Sequence, residues 1–181
     1  PKEVQIMKGT EAVLHGLELA LKMEADGKKY YQQASLNSSN EAGRKLFASL
    51  ALEEDEHARR FVDIYNQLKK NNHWPEVVVK TAPSQRFHTI FSESLDKINI
   101  ANIKYDTEIK AVEAAREMED ESISLYTRLN SQAKSAVEND FFKAIIAEER
   151  EHSLALNDYA EYLRNPAGWF TVKERHSLDG A

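Results

Sequence analysis

The feature of this sequence that most restricts its fold is an internal repeat that needs no gaps. A shift of 95 residues carries Glu24 onto Glu119 and Tyr31 onto Tyr126. The same shift superposes two copies of Glu-Glu-x-Glu-His, one in each half of the chain. Such a repeat indicates two similar units that bury their apolar faces against each other. Duplication of a helical hairpin would explain the repeat, but not which residues it kept.

The prolines fall only at positions 1, 75, 83 and 166, so long stretches remain open to helix. Thr10 is predicted to cap the first helix, and Pro166 follows the end of the last. We predict one all-α domain over 1–181, an antiparallel four-helix bundle with a long crossover between its second and third helices. The predicted helices span about 10–36, 41–70, 103–131 and 135–164, with the crossover at 71–102 and a C-terminal tail at 165–181.

Composition excludes several classes of function. The 181 residues include no cysteine, so the chain can form neither a disulfide scaffold nor a thiolate metal site. Its apolar runs are too short for a membrane span. Its net charge is −6, and its basic residues are scattered, unlike those of a nucleic-acid-binding protein. We therefore expect a cytoplasmic protein without nucleic-acid or membrane partners.

Each predicted helix carries an apolar stripe that is interrupted by ionisable residues at one level. In the first helix, Glu24 is the only charged member of the stripe that runs from Val13 to Ala34. In each hairpin the two stripe glutamates are equidistant from the turn, so they should face each other. If the hairpins pack together, four carboxylates and two imidazoles meet in one layer. These residues are Glu24, Glu54, His57, Glu119, Glu149 and His152.

Such a layer predicts a metal site. Unpaired carboxylates are costly in an apolar interior, and no lysine or arginine occupies the stripes near this level. Two divalent cations would balance four carboxylates, and mixed carboxylate and imidazole ligands suit iron or manganese. We expect each Glu-x-x-His pair to hold one metal, while Glu24 and Glu119 close the site. This is the di-iron carboxylate pattern, so two iron ions are predicted, with manganese or a mixed pair as alternatives.

Residues beside the stripes receive other interpretations. Tyr31 and Tyr126 either fill the core or donate hydrogen bonds to a bound oxidant or a ligand carboxylate. Gly27 either leaves room for a small oxidant or permits close helix packing. The remaining acidic neighbours and histidines are expected to be solvated or not to be ligands: Glu53, Glu56, Glu148 and Glu151, with His15, His73, His88 and His176.

The motifs around Glu24, Glu54, Glu119 and Glu149 resemble those of the rubrerythrin family within the ferritin-like superfamily. The resemblance covers about residues 10–164. It implies a ferritin-like bundle, the same six metal ligands, and a non-haem di-iron centre that reduces peroxide or reacts with oxygen in oxidative-stress defence. It also implies a homodimer.

Two departures from the family pattern affect what the resemblance implies. Rubrerythrins usually carry a rubredoxin domain with four cysteines, which this chain lacks. The electrons would therefore come from a separate electron-donor protein. Ser122 stands where the family usually has a further glutamate ligand, so the predicted site is the symmetric six-residue version.

Three functions remain open at the level of sequence. The first is a rubrerythrin-like oxidoreductase that reduces hydrogen peroxide or reacts with oxygen. The second is an iron-binding protein, such as a ferroxidase, that oxidises or buffers iron without turning over an organic substrate. The third is an interaction module whose fold is stabilised by bound metal and whose tail, around Trp169 and Phe170, docks a partner.

Overall fold

Four long helices make up the part of the chain that the structure, a computed structural model, describes: residues 2–75 and 104–165, with side chains from residue 11. No strand occurs within these residues. The crossover beyond Pro75 and the tail beyond Asn165 lie outside the described residues, as do His88, His176, Trp169 and Phe170. The helices are α1 (Lys2–Asn37), α2 (Glu41–Asn71), α3 (Tyr105–Ser131) and α4 (Ala136–Arg164).

Equivalent caps begin the second helix of each hairpin. The side chain of Asn40 accepts a hydrogen bond from the Gly43 amide at 2.9 Å, and that of Ser135 accepts one from the Glu138 amide at 3.2 Å. Both satisfy amides that a helix N-terminus otherwise leaves unpaired. The caps themselves correspond under the 95-residue shift, so the repeat extends into the turns.

The start of α1 differs from the sequence prediction. The helix begins at Lys2, so Thr10 lies inside it and is not its cap. The segment before Thr10 consists mostly of residues with good helix propensity, which allows the helix to extend past the polar residue that resembles a cap.

Helix packing confirms the predicted all-α four-helix bundle. Helix α1 packs along α2 and α3 along α4, while contacts of α1 with α3 and of α2 with α4 join the hairpins. Two apolar clusters fill the interior, one around Phe47 and Leu156 and the other around Phe61 and Ile145. On every helix the predicted ionisable residues fall between these clusters in sequence. The polar layer therefore crosses the middle of the bundle.

None of the described helices is both long and apolar enough to cross a lipid bilayer.

Candidate metal centre

The structure brings together all six residues that the stripes predicted as metal ligands. None of the six is more than 5% exposed. Their side chains form two groups, and within each group one ligand atom per residue lies within 4.8 Å of the others. Glu54 and Glu149 belong to both groups, whereas the sequence pattern assigned one Glu-x-x-His pair to each metal. The groups are Glu24, Glu54, His57 and Glu149, and Glu54, Glu119, Glu149 and His152.

The Glu149 carboxylate lies between the two imidazoles. Its Oε1 is 3.2 Å from Nδ1 of His57, and its Oε2 is 3.1 Å from Nδ1 of His152. Glu24 Oε2 approaches the first of these nitrogens at 3.3 Å, and Glu54 Oε1 approaches the second at 3.4 Å. An octahedral ion with bonds of about 2.1 Å separates adjacent ligand atoms by about 3 Å. The observed separations are close to the edges of such a polyhedron.

Several atoms of the cluster are buried without a hydrogen-bond partner among the described residues. They are Oε2 of Glu24, Nδ1 of His57 and both carboxylate oxygens of Glu149. A buried polar atom without a partner costs about 1–3 kcal/mol, so several at one place need an explanation. All of them belong to the two groups described above. Two divalent cations would satisfy them, and the donor set therefore fits a dinuclear metal centre.

In the absence of metal, the carboxylates of the cluster have pKa values that are shifted in opposite directions. Burial, reinforced by the charge of Glu149, raises the pKa of Glu119 to about 7 and that of Glu54 well above its usual value. Burial also disfavours ionisation of Glu149, but His57 and His152 outweigh it and hold the pKa of Glu149 well below its usual value. Of these three carboxylates, Glu149 is therefore the one whose ionised form is favoured. Glu149, like Glu54, belongs to both groups.

The Nε2 atom of each imidazole contacts a glutamate of the other hairpin. His57 Nε2 lies 2.9 Å from Oε2 of Glu148, and His152 Nε2 lies 3.2 Å from Oε2 of Glu53. These contacts direct both Nδ1 atoms toward the cluster. A carboxylate behind a ligating imidazole fixes its tautomer and increases its basicity.

The prediction that Glu148 is solvated was wrong, and Glu53 is partly buried rather than freely solvated. Glu148 is 7% exposed and also accepts hydrogen bonds from Arg60, at 2.5 and 3.3 Å. The stripe pattern missed both glutamates because they face the helix of the opposite hairpin rather than the centre of the bundle. The signal was present in the sequence, since the repeated motif includes both of them.

The two tyrosines connect the hairpins in a reciprocal way. The Tyr31 hydroxyl donates a hydrogen bond to the Glu119 carboxylate, and the Tyr126 hydroxyl donates one to Oε1 of Glu24. Burial first, and then the neighbouring carboxylates, raise the pKa of both phenols well above the usual value, so they remain donors. The bond to Oε1 of Glu24 leaves its Oε2 facing His57. This pairing also shows that α1 and α3 run antiparallel.

A small cavity adjoins the cluster between α1 and α3. It has a volume of about 110 Å³, and its lining includes Gly27, Glu54, Glu119 and Ser122. A Cβ atom at Gly27 would lie 3.4 Å from the Glu54 carboxyl group. The absence of a side chain there helps to leave open a space that is large enough for a small oxidant.

We expect Glu148→Gln to weaken metal binding at the group that contains His57. The substitution removes the charge behind the imidazole, and loss of such an outer partner typically costs about 10–100-fold in affinity. A stepwise Co²⁺ titration monitored by absorbance would show one weakened step. Glu56→Gln, on the exposed side of α2, is the matched control and should leave both steps unchanged. Equal weakening of both steps would contradict a local effect.

A four-helix bundle with one glutamate on each of two helices and Glu-x-x-His on the other two belongs to the ferritin-like di-iron-carboxylate class. A solved structure from Thermotoga maritima, described as a ferritin-like diiron-carboxylate protein, matches this fold. Its TM-score is 0.57 at 20% sequence identity, and the match covers 82% of this chain and 94% of that chain. The family model described as Rubrerythrin matches residues 16–160. The chain therefore belongs to the rubrerythrin family. No protein with a curated description matches it.

Proposed function

We propose that this chain binds two iron ions in the six-residue cluster and reduces hydrogen peroxide there. The observation that carries the proposal is the sharing of Glu54 and Glu149 between two adjacent groups of buried ligand atoms. Shared carboxylates hold two cations close enough to act on one small molecule. Membership of the rubrerythrin family supports this function.

The donor set favours iron among the common metals. Four carboxylates and two imidazoles offer mixed oxygen and nitrogen ligands without thiolate, which suits iron or manganese better than a soft metal. Two divalent ions would also balance the four carboxylate charges. Two bound iron ions supply the two electrons that reduction of hydrogen peroxide to water requires.

The residues around the cluster prepare it for a small substrate. The cavity beside Gly27 and Ser122 reaches Glu54 and Glu119, so a molecule in it would lie against the cluster. Tyr31 borders the same cavity and holds Glu119 in place through its hydroxyl. The apolar clusters above and below the polar layer limit the access of water from the two ends of the bundle.

In the proposed function, a separate electron-donor protein supplies electrons to the metal centre. The 181 residues contain no cysteine that could hold an iron–sulfur or rubredoxin-type iron centre. Oxygen is an alternative oxidant at the same site. The proposal also includes a homodimer, which rests on the family, and a cytoplasmic location, which rests on the amino-acid composition.

Iron analysis followed by peroxide titration tests the function. Anaerobically loaded protein should contain two iron ions per chain, as the di-iron pattern requires. Optical absorbance should then stop changing at one peroxide per iron pair, and the titration should repeat after chemical re-reduction. Iron uptake well beyond two ions per chain would instead support iron oxidation and storage. Loaded protein that does not react with peroxide would contradict the proposal.

A further inference from the structure

A row of four aromatic rings runs from the metal cluster to the end of α2. The row, here called the aromatic ladder, consists of Trp74, Phe141, Phe61 and Tyr126. Ring centroids are 5.7 Å apart between Trp74 and Phe141, 5.4 Å between Phe141 and Phe61, and 5.3 Å between Phe61 and Tyr126. The rings therefore form a chain of direct contacts through the bundle.

The two ends of the ladder carry the side chains that lose an electron most readily. At the inner end, the Tyr126 hydroxyl donates to Glu24 of the cluster, which gives the phenolic proton an acceptor when the ring is oxidised. At the outer end, Trp74 lies just beyond α2 and is partly exposed. The two phenylalanines between them are not oxidised readily, but their contacts bring the end rings into electronic communication.

A second aromatic row on the other side of the cluster also begins at a tyrosine that donates to a glutamate of the cluster, but its outer end differs. It runs from Tyr31 through Phe47 and Tyr159 to Tyr162, with centroid separations of 6.2, 6.1 and 6.3 Å. Its last ring is only 1% exposed, and it contains no tryptophan. Both rows contribute to the core. Among the described rings, the ladder ends in a partly exposed tryptophan, whereas the partly exposed ring beside the second row is Tyr30, a tyrosine whose centroid lies 5.9 Å from that of Tyr31.

We propose that the aromatic ladder carries single electrons from an external one-electron donor at Trp74 to the metal centre. The proposal rests on the proposed function, because the peroxide-oxidised centre is the acceptor. Tyr126 passes one electron to that centre and its phenolic proton to Oε1 of Glu24. Trp74 then reduces the Tyr126 radical, which takes its proton back from Glu24. The donor finally reduces the oxidised indole, so the net change is one electron moved from donor to centre.

Flash photolysis of the full chain tests the ladder without iron or peroxide. Trp169→Phe leaves Trp74 as the only tryptophan. A photo-excited ruthenium complex with a sacrificial electron acceptor oxidises the indole, and transient absorption follows the tryptophan and tyrosine radicals. Because contacts that carry an electron in one direction also carry it in the other, we expect the tryptophan radical to come to equilibrium with Tyr126, so that a delayed tyrosyl signal grows as the tryptophan signal falls. The measurement is made on metal-free protein and on protein loaded with Zn²⁺, which is redox-inert.

Matched variants assign the delayed signal. Tyr126→Phe and Trp74→Phe should each abolish it, while Tyr31→Phe, at the repeat-related position, should leave it intact. Phe61→Leu should slow it, and Phe47→Leu in the second row should not. A delayed signal that survives Tyr126→Phe, or none in the parent protein, would overturn the ladder. Neither result would affect iron stoichiometry or peroxide titration, which test the proposed function separately.

Discussion

Replacing Glu149 by alanine is expected to abolish tight binding of both metals at once. Each oxygen of this carboxylate faces a different imidazole, at 3.2 Å from His57 and 3.1 Å from His152. The substitution therefore removes one ligand from each group and both of the oxygens that face the two imidazoles. Metal content should fall from the expected two ions per chain to a trace, and the proposed reaction with peroxide should be lost with it.

The contrast with Glu24→Ala makes this prediction specific. Glu24 belongs only to the group that contains His57, so its loss should reduce metal content to one ion per chain. Glu151→Ala, two residues beyond Glu149 on α4 and partly exposed, should retain both ions. Elemental analysis after gel filtration measures all three variants, with circular dichroism to check folding. Two tightly bound ions in Glu149→Ala would disprove its shared role.

Chelation of the metals is expected to destabilise the protein increasingly as the pH rises. Metal binding requires deprotonated ligands, so the stabilisation by bound metal grows with pH. The metal-free protein should behave in the opposite way, because its cluster is stabilised by protons. The melting temperatures of the two forms should therefore diverge from acidic to neutral pH.

The sign of the metal-free trend follows from the shifted pKa values. Burial raises the pKa of Glu119 from 4.5 to about 7, so this group stabilises the fold below pH 4.5 and loses that contribution as the pH approaches 7. Glu54, also raised, acts in the same direction. Burial lowers the pKa values of His57 and His152, but nearby carboxylates raise them well above 6.5 overall, so their contribution is lost only at higher pH. Glu149, whose pKa is lowered, contributes fully above pH 4.5.

Calorimetric melting of both forms across this pH interval checks the prediction. Glu119→Gln should remove part of the pH dependence of the metal-free protein, because the amide does not titrate. Melting temperatures that rise in parallel for the two forms would show that protons do not replace the metals in the cluster.

The bundle and its six converging residues could be predicted from sequence because apolar periodicity determines which face of a helix is buried. A glutamate such as Glu24 in an otherwise apolar stripe must then lie in the core. The 95-residue repeat supplied the second half of the argument, since it placed Glu119 at the matching level. Both inferences depend only on spacing along the sequence.

Contacts between helices could not be predicted in the same way. Glu148 lies one position away from the stripe, and its burial depends on His57 and Arg60 of α2, which spacing along α4 does not specify. The shared position of Glu149 likewise depends on how closely the hairpins approach each other. The start of α1 at Lys2 was missed because a polar residue at Thr10 resembles a cap whether or not the helix continues past it.

Each hairpin supplies the tyrosine that donates a hydrogen bond to a glutamate of the other hairpin. Tyr31 reaches Glu119 and Tyr126 reaches Glu24, so two identical copies of one hairpin, related by a two-fold axis, would present every group of the cluster. A half-length ancestor could thus have worked as a self-complementary dimer. The two copies are not identical in this chain, since Arg60 corresponds to Ala155 under the 95-residue shift.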